Sequence, residues 1–183
     1  MYMDADKLRE GIFNLQTRRF GSVAEVMIKK IFKLGKSKNQ FHDAYDDIKK
    51  QRAEIKFSTV RKKNDRTITE ESVLQCISDE MSSNRNVPYS NSRWRTYKFD
   101  CNIQQIKRDQ FEVLYYGLFF SDVVVIFKIK SQEIGSGIYY SDKQHKGNEG
   151  EGQFHLNETT LEIHIEKYLY KVLSYKELFD LLA

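Results

Sequence analysis

The alternation of apolar and polar residues from Ala53 to Val60 is the feature that most constrains this fold. A period of two belongs to a strand with one face in a core. Ala53, Ile55 and Phe57 therefore point inward, while Glu54 and Lys56 project together from the opposite face. The residues from Ala44 onward read as a second short strand, antiparallel to the first and joined to it by a tight polar turn near Lys50 to Arg52. Asp46 stands on that preceding strand. Choosing Asp46 over Asp47 lets Ile48 share its face and pack under the site while Asp47 faces solvent.

Two carboxylates and an ammonium converging at a sheet end are costly, because like charges held close must be neutralised or share a cation. Magnesium takes one or two carboxylates together with waters and phosphate oxygens, and Asp46 and Glu54 can supply those carboxylates. Lys56 then sits where it can orient or help deprotonate an attacking water and offset charge building on a phosphate. The nuclease expectation stands on a geometric condition: it fails if the carboxylates of Asp46 and Glu54 lie too far apart to ligate a common ion, or if Lys56 is buried in an unrelated ion pair. The alternative is an exposed hairpin whose Glu54 and Lys56 pair for little energy.

Asp46 followed by Glu54-Ile55-Lys56 on the next strand resembles the acidic-x-Lys core of the PD-(D/E)xK restriction-like nuclease superfamily. The run Glu54-Ile55-Lys56-Phe57-Ser58 is similar in particular to its type II restriction endonucleases. Tyr45 stands where the superfamily has a proline, and Asp47-Ile48-Lys49 repeats the bare tripeptide pattern. The resemblance implies an α/β fold with a restriction-endonuclease-like central mixed β-sheet flanked by helices. It implies a magnesium-dependent, site-specific endodeoxyribonuclease that hydrolyses double-stranded DNA and leaves 5′-phosphates. A homodimer is expected, since two-fold DNA sites match two-fold proteins and double-strand cleavage needs two active sites. These families often place a helix glutamate beside the metal, and Glu25 is the candidate for that auxiliary role. Rival readings are a repair or junction-resolving nuclease of the same fold, a non-catalytic basic DNA-binding module, and an inactive nuclease-like interaction protein.

Glu25 also has a structural alternative. Ser22-Val23-Ala24-Glu25 reads as a capping box opening a helix, with Val23, Val26, Met27, Ile31 and Leu34 as its buried stripe and Gly35 as its stop. A preceding helix is expected from about Asp6 to Phe20.

A chain of 183 residues is read as one domain, and 40% hydrophobic residues exclude wholesale disorder. A net charge of +4 permits a polyanionic partner without requiring one. Cys76 and Cys101 build no zinc site and point to a reducing compartment. With no apolar run of membrane length and no signal-peptide pattern at the start, the expectation is a cytoplasmic protein with no membrane partner.

The basic run after Val60, with Lys62 and Lys63, either faces phosphates or is an ordinary solvated loop. Thr69 to Met81 reads as a helix capped by Thr69. The irregular segment from Ser82 to Arg95 offers Arg85, Asn86, Asn91, Arg93 and Arg95, which can bond purine edges or grip phosphates. That segment is either a DNA-recognition loop or a plain surface excursion. Thr96 to Cys101 reads as a strand, followed by a short helical piece carrying Gln105, a candidate phosphate contact. The β-prone runs Phe111–Phe120 and Val123–Ile129 are expected at the far side of the central sheet. The glycine-rich stretch from Tyr139 to Gly152 could fold over DNA with His145 as a contact. Leu161, Ile163 and Ile165 suggest a strand with His164 on its outer face. Ser174-Tyr175-Lys176-Glu177 is a second capping box, starting a terminal helix.

Overall fold

The strand at 53–60 forms, but the alternation understates its burial: Ala53, Glu54 and Ile55 are all buried, so both faces are covered. The computed structural model describes residues 3–37, 39–81, 83–143 and 150–183. Its elements are α1 (Ala5–Asn14), α2 (Thr17–Phe32), β1 (Gly35–Lys36), β2 (Ala44–Asp46), β3 (Gln51–Thr59), α3 (Val73–Met81), β4 (Asp100–Ile106), β5 (Val113–Phe119), β6 (Val123–Lys130), β7 (Gly152–Asn157), α4 (Leu161–Tyr168), β8 (Leu169–Ser174) and α5 (Tyr175–Leu182).

Six strands make one mixed sheet in the order β1-β2-β3-β5-β6-β8. Only β3 and β5 run parallel. A parallel pair needs a long crossover, and the chain from Val60 to Glu112, carrying α3 and β4, provides it. On one face Ile55, Tyr115 and Ile126 pack with Phe20, Met27 and Ile28 of α2 and Leu178 of α5. On the other, Leu114, Tyr116 and Phe127 meet Ile103 of β4, Phe154 of β7 and Leu161 of α4. The result is a mixed α/β architecture, a central mixed sheet with helices on its sides. No helix of the described residues is long and apolar enough to cross a membrane.

Several elements differ from the sequence reading. Helix α2 starts at Thr17, so Ser22 lies inside it and its hydroxyl donates to Arg18 O, 3.3 Å away. The Ser22 to Glu25 capping box does not form, because the apolar stripe of Phe20, Ala24, Met27 and Ile28 carries the helix through it. The helix ends on Lys33, in the left-handed region at φ 54°, and Gly35 already belongs to β1. Residues 102–106 are strand, not helix: β4 pairs with β7, and a register shift between Ile103 and Ile106 accommodates Gln105 at φ 60°. Leu161 to Ile165 is the first part of α4: Leu161, His164 and Ile165 stand at helical spacing and face the core, while Ile163 falls on the other side of the helix. The terminal capping box forms, with Ser174 N donating to Glu177 Oε2 at 2.7 Å and Glu177 N to Ser174 Oγ at 3.2 Å.

His164 is accordingly buried, not on an outer face. Its Nδ1 lies 2.8 Å from the Tyr116 hydroxyl and its ring stacks on Phe154. Burial lowers its pKa to about 4 from 6.5. The neutral ring is favoured in the fold, so this stabilisation is full above pH ~6.5 and is lost as pH falls towards 4. Between pH 7 and pH 5 the loss from this group is about 2 kcal/mol. Urea unfolding at the two pH values should show that much less pH dependence in His164→Phe than in the wild type.

Candidate active site

Strand β2 is only three residues long, and this creates the site. Its last pair with β3 is Ala44 with Ala53, so beyond Ala53 that edge of β3 pairs with no strand among the described residues. Asp43 closes the edge instead. Its N–H donates to Ala53 O at 3.1 Å, and its Oδ2 accepts from Ile55 N–H at 2.9 Å. This fixes the Asp43 carboxylate beside Glu54 and Lys56. On β3 itself Lys56 Nζ lies 2.6 Å from Glu54 Oε1, both side chains being largely covered. Glu25 comes from α2, bonded through Oε2 to Lys29 Nζ at 3.0 Å. Glu25, Asp43, Lys56 and Gln105 line one cleft of about 360 Å³.

The charges in this cleft are coupled. Burial is the main influence raising Glu54 to about 7; Asp43 and Glu25 push the same way, while Lys56 opposes them. For Lys56, burial is the largest single influence and acts downward. The carboxylates of Glu54, Asp43 and Glu25 outweigh it, leaving the pKa above the usual lysine value. Lys56 therefore remains an ammonium, and Glu54 is the group that titrates near neutrality.

Asp46 does not join them. It pairs with Gln51, so it shares a face with Ala53 and Ile55 and points away from the Glu54 face. It also lies three residues short of Glu54, roughly 10 Å along the strand. Its Oδ1 accepts from the N–H groups of Ile48, at 3.0 Å, and Lys49, at 2.9 Å, holding the turn at 47–50. The Lys49 backbone bond is the chief cause of its lowered pKa. The expected meeting of Asp46 with Glu54 therefore fails, and with it the nuclease reading as built on that pair; the carboxylate that adjoins Glu54 and Lys56 is that of Asp43. Asp47 lies against Gly35 on β1, and Ile48 is exposed instead of packing under the site. The register was the missing information: a turn at 47–50, not at 50–52, brings Asp43 opposite Glu54 and reverses the face of every residue in the first strand.

The anticipated nucleic-acid contacts are scattered. Lys62 Nζ sits 4.4 Å from the centroid of the Tyr97 ring, and Lys63 N–H donates to Lys98 O at 2.7 Å. Arg85 is held inward, ion-paired with Glu80 and donating to Lys62 O at 2.8 Å. Asn86 bridges to Arg61 in the backbone. Asn91 and Ser92 are left-handed, at φ 53° and 56°. Arg93 Nη2 reaches the Tyr97 hydroxyl at 3.4 Å, and Arg95 pairs with Glu162. The segment is anchored by buried Trp94 and by Asp122, which accepts from Tyr89 N and Ser90 N at 2.8 and 2.9 Å. His145 lies outside the described residues.

Family models, curated proteins and solved structures give no significant match. Among the described residues no group of three or more His, Cys, Asp and Glu side chains is arranged to hold a metal ion. Two carboxylates, Asp43 and Glu54, adjoin on one edge, with Glu25 as a third influence. Such an all-oxygen set suits magnesium, which needs only one or two protein carboxylates. Burial first, and the carboxylates of Asp43 and Glu25 after it, keep the Glu54 proton in place to about pH 7, and a divalent cation would favour the ionised form.

Proposed function

We propose that this chain is a magnesium-dependent endodeoxyribonuclease with a restriction-endonuclease-like sheet, hydrolysing double-stranded DNA at specific sites as a homodimer. The observation that carries the reading is the convergence of Glu25, Asp43, Glu54 and Lys56 on the unpaired edge of β3. Asp43 and Glu54 would hold the metal, with Glu25 behind them. Magnesium, when bound, would supply an activated water and offset charge on the phosphate. Lys56, kept protonated by its carboxylate neighbours, acts as a donor: it orients the attacking water or bonds a phosphate oxygen as charge develops there. It is not the base. The products carry 5′-phosphates.

A second reading has one observation in its favour. Arg85 and Arg95 are engaged in internal ion pairs, which leaves fewer side chains to read base edges and suits a repair or junction nuclease that reads DNA shape. Incubation with sequenced plasmids and magnesium separates the readings. Discrete fragments that disappear with EDTA are expected of the site-specific enzyme, and cutting only of branched or damaged DNA of the second. Intact DNA at every magnesium and manganese concentration would leave only a non-catalytic binding protein.

A further inference from the structure

The unpaired edge of β3 does not stop at Lys56. Past Phe57 it borders a second cleft of about 530 Å³, between β3 and the junction of α1 with α2. Thr17, Phe20, Phe57 and Ser58 line both clefts, so the second continues the first. The character of the lining changes along the way. The first cleft carries the carboxylates of Glu25 and Asp43; among the described residues that line the second there is no acidic side chain and one cation, Arg61.

Arg61 is placed for a ligand role. Its Nη2 donates to Phe13 O at 2.5 Å and its guanidinium lies 6.0 Å from the centroid of the Phe13 ring. Its Nε is buried with no hydrogen-bond partner, and such a donor costs free energy until something accepts from it. Around it stand the polar side chains of Asn14, Thr17, Ser58 and Thr59 and the first turn of α2, which has no side-chain cap. Two residues along a strand advance roughly 7 Å, so Ser58 follows Lys56 on β3 at that interval, and Arg61 comes two residues after the strand ends at Thr59. The continuous groove thus has carboxylates at one end and the Arg61 guanidinium at the other, where Arg61 also borders an adjoining cleft lined by Glu10 and Glu80.

We propose that this second cleft is a phosphodiester subsite that grips the scissile DNA strand beyond the point of cleavage, with Arg61 as its cation and the Ser58 and Thr59 hydroxyls as neutral donors. The identity of the bound strand rests on the nuclease reading, but the grip itself needs no chemistry. It is tested by fluorescence anisotropy of a labelled DNA duplex in calcium without magnesium, over a series of potassium chloride concentrations. Arg61→Gln, which keeps a donor for Phe13 O, should bind about 10-fold more weakly and lower the slope of log affinity against log salt by about 1. Asn14→Asp changes no shape and places a negative charge in the cleft; it should weaken binding similarly at low salt. Wild-type affinity and slope in both variants, or a wild type that does not bind the duplex, overturns the subsite. Because no turnover is read, absence of cleavage in the plasmid assay would count against the nuclease reading and leave this test intact.

Discussion

Asp43→Asn should abolish magnesium-dependent cleavage, by on the order of 10³-fold or more, while Asp46→Asn should cut like the wild type. The contrast follows from where each carboxylate is spent. Asp43 is fixed by the Ile55 N–H beside Glu54 and Lys56, so its amide would keep the fold and lose the charge. Asp46 holds the turn at 47–50 through two backbone N–H groups on the other face of the hairpin, a task that an asparagine side chain also performs. Glu54→Ala and Lys56→Ala should be as inactive as Asp43→Asn. Linearisation of a plasmid at saturating magnesium, with circular dichroism to show folding, reads all four variants. An active Asp43→Asn together with a dead Asp46→Asn would return the site to the original pairing and remove the basis for the present one.

What could be seen in the sequence depended on how many residues carried each signal. The β3 alternation and the two long β-prone runs at β5 and β6 each extend over seven or more residues, and they set the sheet and the Glu54-Lys56 face. Asp43 was hidden because its position depends on register, and replacing a three-residue turn at 50–52 by a four-residue turn at 47–50 slips the pairing by an odd number, which turns the face of the whole preceding strand. Short signals misled in the same way. Gln105 sits in a bulge that breaks the strand pattern of β4, and Leu161 to Ile165 offers too few residues to distinguish the periods. Glu25 shows a local pattern giving way to tertiary packing: the capping box is present in the sequence, but the buried face of α2 continues upstream past it. Arg61 was visible only as one of several basic residues after Val60, since nothing local marks the residue that will find a cleft.

Gly117→Ala should destabilise the protein by about 3 kcal/mol and impair the site with it. Gly117 pairs with Phe57 across the parallel β3–β5 junction, and a Cβ there would meet both the Val125 carbonyl oxygen on β6 and the Phe57 ring. The carbonyl belongs to the sheet ladder and cannot yield without breaking the β5–β6 pairing. The ring can move, but it packs edge-on against Phe119 at 5.8 Å and forms the wall shared by the two clefts. Moving it displaces the strand that carries Lys56 on one side and Ser58 on the other. A double-mutant cycle separates the two clashes. Phe57→Leu in the Gly117→Ala background should recover about 1 kcal/mol, the part owed to the ring, and leave the part owed to the carbonyl. Denaturant midpoints measure the cycle. Strict additivity would mean that the ring does not constrain residue 117, and that the narrowness of the sheet at this point is set by the backbone of β5 and β6 alone.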